Sequence, residues 1–524
     1  MKNTIRKVYQ MSKFHSMVSR RDFMKFMGYT GMGVGAAVAA SGPVFHDLDE
    51  LLSADTGNIQ KRPWYVKERD FYNPTVEVDW DVLKRPNPFH TGQNKATCVM
   101  YMGQERADNQ NKLGYQYVNQ QIQSGAPGYS YLNRALRKVN VTYGWPAYMG
   151  KSWAGNSVNI NWKGDTDMES TNRQKETTIY YDTPEERGEP KWTGTPEEAT
   201  KVMAAFMRYR GSAINGFGIL DQRMRTQVVS KSQKHSDKRV IVFEDVEKAY
   251  EVSGGKYVIP NKELYYFVNW ELMARELFRC TPAFGGLANA SDMVGDIVKA
   301  STWDFLRYLG YQMIGAGSDN TVPFVEGAVA NLTGVCENSR NQLYCLNPEY
   351  GAIGRLHSYI TDLPMAPTKP VDAGMWRFCH SCHKCANTCP SGSISQEKQP
   401  SWEITPIKGK ESLIHNPGTK EFWSDGVGCR LFRNENGGVG GNEIAGCQVC
   451  WGECTFTVDN AAMVHNLIKG TVANVSIFNG FFFKMGETFG YGSSDEKSDE
   501  WWDLSLPVMG IDTTTVAYDK GYRK

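Results

Sequence analysis

The feature that most constrains this chain is a run of four cysteines, Cys379-His-Ser-Cys382-His-Lys-Cys385-Ala-Asn-Thr-Cys389-Pro390, spaced C-x2-C-x2-C-x3-C-P. Three closely spaced thiolates on a tight loop grip three irons of one cubane. The fourth, carried away on the next turn, ligates a second cluster. A partner run is therefore required, and Cys447-Gln-Val-Cys450-Trp-Gly-Glu-Cys454 supplies it. That run is one cysteine short, and Cys429, upstream across a Gly-rich segment, is the nearby candidate. The expected assignment is Cys379, Cys382, Cys385 and Cys454 on one [4Fe–4S] cluster, with Cys389, Cys429, Cys447 and Cys450 on the other. A pair of zinc sites is the competing reading, although zinc loops usually present two separated C-x2-C pairs.

Of the 12 cysteines, Cys98, Cys280, Cys336 and Cys345 remain. They read as buried thiols, since free cysteine is among the most buried residue types. One or two disulfides are the alternative, because the N-terminus reads as an export signal. Ser19-Arg20-Arg21-Asp22-Phe23-Met24-Lys25 has the twin-arginine pattern, and a weakly apolar, Gly- and Ala-rich stretch follows from Phe26 to Phe45. Ala37-Val38-Ala39 offers a small-residue cleavage site. A transmembrane anchor is the competing reading of that stretch, which is only marginally apolar and barely long enough. The twin-arginine route exports proteins already folded around their cofactors, so metal clusters and this signal fit together. A formal net charge of +1 gives no bulk electrostatic support for a nucleic-acid partner.

The 524 residues allow about three domains. Residues 60–190 show little periodicity and read as loops and short strands. Thr195-Pro196-Glu197-Glu198 is a capping box with Pro at the first helical position. It opens a helix through Val202, Ala205, Phe206 and Tyr209 that Gly211 ends. Ile214–Leu220, Val240–Phe243, Tyr257–Ile259 and Leu264–Val268 read as short strands. A second helix is expected from Ser291 to Leu309, its apolar face made by Val294, Ile297, Val298, Phe305, Leu306 and Leu309, with Gly310 ending it. Helices alternating with strands favour an α/β or α+β core.

Several stretches together resemble the respiratory corrinoid and iron–sulfur reductive dehalogenases, above all the catalytic subunits acting on chlorinated ethenes, vinyl chloride included. They are the export signal, the two cysteine runs, Tyr308-Leu-Gly-Tyr311, Val335-Cys-Glu-Asn-Ser-Arg340 and Thr361-Asp-Leu-Pro-Met-Ala-Pro367. Val464-His-Asn-Leu-Ile-Lys-Gly470 and Phe478-Asn-Gly-Phe-Phe482 add to them. The resemblance implies an α+β protein, with a nitroreductase-like corrinoid-binding core over 191–370 and a bacterial-ferredoxin-like two-cluster domain over 371–470. Residues 40–190 would wrap that core, and 471–524 would form a C-terminal extension after a signal peptide at 1–39. It also implies a base-off corrinoid, and no Asp-x-His-x-x-Gly lower-ligand motif occurs. The implied reaction replaces a vinylic C–Cl by C–H with two electrons and one proton, releasing chloride. Implied too are an upstream respiratory electron donor and a small integral-membrane anchor subunit at the outer face of the cytoplasmic membrane. The alternatives are a two-cluster electron-transfer subunit without catalysis and an epoxyqueuosine-reductase-like enzyme. Over 300 residues upstream of the clusters exceed what a ferredoxin needs, and an export signal argues against a cytoplasmic tRNA substrate.

Site residues follow from the same resemblance. Thr361, Asp362 and Leu363 begin the stretch that matches a corrinoid-lining loop. Family members carry a Tyr proton donor nineteen residues before the Tyr of Leu-Gly-Tyr, and in this chain that position is Asp292. Asp292 is the expected donor, with a neighbouring Tyr such as Tyr311 as the alternative. A carboxylate in the first turn of a helix is also favoured by the macrodipole, with no chemistry involved. Arg340 matches the cationic residue beside the donor, where it would stabilise the deprotonated donor or meet the departing chloride. Asp319 and Asn320 are weaker polar candidates.

Overall fold

The structure, a computed structural model, describes residues 62–134, 158–160, 177–179, 183–272, 290–315, 323–436, 447–457 and 463–488, less positions 93, 234–235, 253–254 and 343–344. The export signal, Cys280, Asp319, Asn320 and the tail after Gly490 lie outside the described residues. The strands that position the site are β1 (Ser212–Ile219), β2 (Ser236–Glu244), β3 (Lys256–Pro260), β4 (Tyr265–Leu272), β5 (Met313–Ile314) and β6 (Gly354–Thr361). The helices are α1 (Lys95–Met102), α2 (Gln104–Ser124), α3 (Pro196–Arg210), α4 (Ala290–Leu309), α5 (Glu326–Leu332), α6 (Met375–Ser381), α7 (Lys384–Asn387), α8 (Gly426–Glu435) and α9 (Val449–Gly452).

A four-stranded antiparallel sheet in the order β5-β6-β4-β1 forms the centre. Because side chains alternate across a strand, β4 feeds two cores. Tyr265 and Phe267 face α3 and α4, where they meet Met203, Met207, Val298 and Leu306. Tyr266, Val268 and Trp270 face the other way, against Leu356, Ile360 and the α5 residues Val329 and Ala330. Each apolar side chain buried this fully adds roughly 1.5–3 kcal/mol. That second core also takes in Ile241 of β2 and Tyr257 of β3, which pair in parallel within a smaller sheet. Gly354 opens β6 because the Trp270 ring covers it, and a Cβ there would lie 2.0 Å from the indole.

Both expected helices form. The Thr195 hydroxyl accepts from the Glu198 N–H, and the Glu198 carboxylate accepts from the Thr195 N–H in return; Gly211 caps α3 at φ 121°. In α4 the periodicity is right but one face residue is not. Ile297 is 42 % exposed, while Trp303 takes its share of the interior. Phe305 of α4 stacks on Phe206 of α3 at 4.1 Å and locks the two helices together.

The reading of 60–190 as loops and short strands is corrected. A 21-residue helix, α2, follows α1 in that region. Its buried stripe is Ala107, Gln110, Gly114 and Val118, in which only Val118 carries a strong hydropathy signal. These helices do not lie on the sheet. Cys98, Tyr101 and Ala107 pack with Val427 and Leu431 of α8, and Arg106 pairs with Glu435.

The reading of Cys336 and Cys345 as free thiols is also corrected: they form a buried disulfide, while Cys98 stays free and buried. Among the described residues, no helix is long and apolar enough to cross a membrane.

Candidate functional site

The cysteine runs fold on short helices of four to seven residues. Cys379 sits near the end of α6, Cys382 caps it, Cys385 lies on α7 and Cys389 follows. On the partner run, Cys447 and Gln448 both take left-handed backbone conformations, at φ 52° and 57°, immediately before the one-turn α9 that bears Cys450. Cys429 comes from α8, the helix braced by α1 and α2.

Cys379, Cys382, Cys385 and Cys454 line one partly open cavity, together with Arg340, Phe378 and Phe456, and Cys450 of the second run reaches its wall as well. The remaining four form a second neighbourhood: Cys429 is within electrostatic reach of Cys447 and Cys389, and Cys450 of all three and also of Cys385, so it stands between the two sets. Burial pushes up the thiols of Cys379, Cys382, Cys385, Cys447 and Cys450, and raises Cys454 to about 11 and Cys429 to about 12. Thiolates buried this deeply persist only against compensating positive charge, which bound iron supplies. Among the described residues, no three His, Cys, Asp or Glu side chains converge closely enough to hold a single metal ion. Thiols standing around a void suit a multi-iron cubane better than one tetrahedral zinc.

Arg340 is completely buried, at the wall of that cavity. Nε donates to the carbonyl oxygens of Cys379 and Cys382, Nη1 to those of Ser395 and Glu397, and Nη2 to those of Cys379 and His380. Phe422 covers its flat face at 3.8 Å. The expectation that Arg340 meets a departing chloride or a deprotonated donor is therefore corrected, because every guanidinium nitrogen is committed to backbone around the cysteine loop. The turn that presents it is closed by the Cys336–Cys345 disulfide. Two neighbours on that turn also reach the cysteine module. The Glu337 carboxylate accepts the N–H of Ala373 and of Trp376 at the start of α6. The Gln342 side-chain carbonyl accepts the Ser424 N–H.

Thr361 ends β6, Asp362 and Leu363 follow it, and their side chains turn inward. The Thr361 hydroxyl accepts the Leu363 N–H, and Leu363 is buried against α3 and α4. The Asp362 carboxylate accepts from the Gln312 backbone and side chain and pairs with Lys262 at 3.2 Å. All three side chains are thus engaged within the fold. The Tyr311 hydroxyl donates to the Trp192 carbonyl, which occupies it within the fold.

Asp292 is the third residue of α4, and its side chain lies outside the described residues. The helix around it is closely fixed. At Gly295, one turn on, a Cβ would lie 2.6 Å from the His357 imidazole, so the helix backbone rests on the ring. His357 Nδ1 stands 3.2 Å from the buried Glu271 carboxylate, whose other oxygen accepts from Asn269. Sequence reasoning missed this pair, and no local spacing links β4 to β6. Burial alone would depress the imidazole, but the Glu271 carboxylate holds it above its ordinary value. The pair's stabilisation is thus complete below about pH 6.5 and is lost as pH rises through the folded value. Melting temperatures should fall from about pH 6 to about pH 9 more steeply in the wild type than in His357→Gln. Parallel slopes would mean the pair is not charged.

A reductive dehalogenase subunit family model matches residues 61–365, more than half of the chain. The chain belongs to the reductive dehalogenase family. Along 96 % of its length it is 29 % identical to the chloroethene reductive dehalogenase of Dehalococcoides mccartyi strain VS, covering 100 % of that protein. It is 28 % identical to a trichloroethene reductive dehalogenase from another strain of that species, over 95 % of this chain and 98 % of that one. Among solved structures it is similar to the catabolic reductive dehalogenase NpRdhA, with a TM-score of 0.55 at 16 % identity over 85 % of this chain. It spans about half of that longer chain, 52 %. The mixed helix-and-strand fold is thus that of the reductive dehalogenases, and the chain is an oxidoreductase of this corrinoid-dependent family.

Proposed function

We propose that this reductive dehalogenase acts on chlorinated ethenes, dichloroethenes and vinyl chloride among them. It would replace C–Cl by C–H with release of chloride, as the terminal reductase of an anaerobic respiratory chain. The observation that carries the reading is the cysteine-lined cavity, which Arg340 joins to the turn leading into β6. Similarity along nearly the whole chain to two chloroethene-reducing proteins supports the substrate class.

Each turnover needs two electrons and one proton. Cys389, Cys429, Cys447 and Cys450 would hold the outer [4Fe–4S] cluster, since α8 lies on the side covered by α1 and α2. Cys379, Cys382, Cys385 and Cys454 would hold the inner one, against the core. Together they make the bacterial-ferredoxin-like part, and the sheet with α3 and α4 the nitroreductase-like part. A base-off corrinoid, when bound, supplies the low-potential cobalt at which a carbon–halogen bond is reductively cleaved. The backbone from Thr361 to Pro367 would line it. Asp292 would hold the proton and deliver it to the carbon that loses chlorine. A chloroethene offers almost no hydrogen-bonding group, so the pocket around it must be apolar. Export through Ser19–Lys25 and docking to a small membrane-anchor subunit would bring the protein to the outer face of the cytoplasmic membrane, which cell fractionation tests.

The test is anaerobic reconstitution with iron, sulfide and corrinoid, followed by product analysis on a panel of chlorinated ethenes. About eight irons per chain and corrinoid-dependent chloride release are expected. Iron incorporation without dehalogenation of any chloroethene would sink the substrate class.

A further inference from the structure

Arg340 poses a physical problem. A guanidinium wholly removed from water normally faces a carboxylate, because an uncompensated buried charge is expensive. Here all its hydrogen bonds go to neutral carbonyl oxygens, five in number, from Cys379, His380, Cys382, Ser395 and Glu397. Carbonyl dipoles satisfy the N–H groups but leave a full positive charge. The groups that share its cavity wall and become anionic on binding iron are the sulfurs of Cys379, Cys382 and Cys385. The other cation at this cavity, Lys384, has a carboxylate of its own in Glu453, at 3.6 Å.

We propose that Arg340 is a positioning residue for electron transfer, whose charge compensates the iron–sulfur cluster held by Cys379, Cys382, Cys385 and Cys454 and raises that cluster's reduction potential. The proposal rests on the iron–sulfur reading above. A cubane held by thiolates is a net anion, and reduction adds one more negative charge. A fixed cation in a water-poor wall favours the reduced form more than the oxidised one, and net charge is a known lever on cluster potential. The carbonyl contacts serve the same end, since they hold the loop bearing Cys379 and Cys382 at a constant distance from the charge. The geometry is over-determined: the disulfide-closed turn fixes the Arg340 backbone, and Phe422 fixes the guanidinium plane.

The experiment uses full-length reconstituted protein, with iron content measured first and each cluster's midpoint then read by potentiometric electron paramagnetic resonance. Arg340→Gln removes the charge, and Arg340→Lys keeps it with fewer donors. In Arg340→Gln the midpoint of one cluster should fall by at least a tenfold change in its reduction equilibrium, about 59 mV for one electron. The other cluster should stay where it is, and in Arg340→Lys both should stay close to wild type. An unmoved midpoint in Arg340→Gln with both clusters present would overturn the proposal, as would equal shifts in the two variants. If Arg340→Gln loses iron, Arg340→Lys decides: iron and midpoint retained support the charge, whereas loss of iron there too assigns Arg340 to a purely structural clamp. Wild-type protein that takes up no iron would defeat the iron–sulfur reading instead.

Discussion

Asp292→Asn should lower the dechlorination rate per bound corrinoid by roughly a hundred- to ten-thousand-fold while leaving iron and corrinoid content unchanged. A positioned acid contributes on that scale because proton delivery to carbon is part of the bond-making step. Asn keeps the shape and hydrogen-bonding capacity of the side chain and removes the proton. The backbone of α4 is held beside β6 by Gly295 against His357, so the substitution has no reason to move the helix. If Asp292 is only a carboxylate complementing the helix dipole, its loss should cost about 1 kcal/mol of stability or less and leave turnover nearly intact. A melting curve on the sample used for kinetics separates the two outcomes. An unchanged rate with a slightly lowered melting point would refute the assignment.

Cys454→Ser should abolish turnover altogether, because electrons pass through the two clusters in series and no parallel route exists within the proposed scheme. Iron should drop from about eight to about four or five per chain, with one cluster signal lost and the other intact. Cys429→Ser should remove the opposite signal. These two cysteines make the sharper test because both are remote in sequence from the first run. Cys454 reaches the cavity of Cys379, Cys382 and Cys385, while Cys429 reaches Cys389 and Cys447. Loss of the same signal in both variants would show that the thiols are wrongly divided.

The parts of this fold that could be read from sequence are those whose cause is local. The α3 boundaries follow from a capping box at one end and a glycine at the other, and α4 follows from a 3.6-residue period. The cysteine spacing is itself a local geometric statement. What escaped reading was determined by partners far along the chain. The stripe of α2 looks polar because it packs on α8 through small and polar residues, Ala107 beside Val427 and Leu431 and Gln110 against Asn434. The Glu271–His357 pair joins strands whose register nothing nearby announces. The pairing of Cys336 with Cys345 was open, since nine residues of separation permit a bridge without requiring one. The match of Glu337-x-x-Arg340 was visible, but its meaning was not, because the carbonyls that surround Arg340 carry no side-chain signature.

The disulfide-closed turn from Cys336 to Cys345 bears on how this protein can be recombined with its relatives. Its ends are anchored in the core beneath the sheet, yet Glu337, Arg340 and Gln342 are spent on the cysteine module. A chimera joined near residue 370 would separate a socket from the plug made for it. The unit that can be exchanged is the cysteine module together with this distant turn. A graft that carries both should keep the wiring of its donor, and one that carries the module alone would inherit a mismatched contact at the point where electrons reach the core.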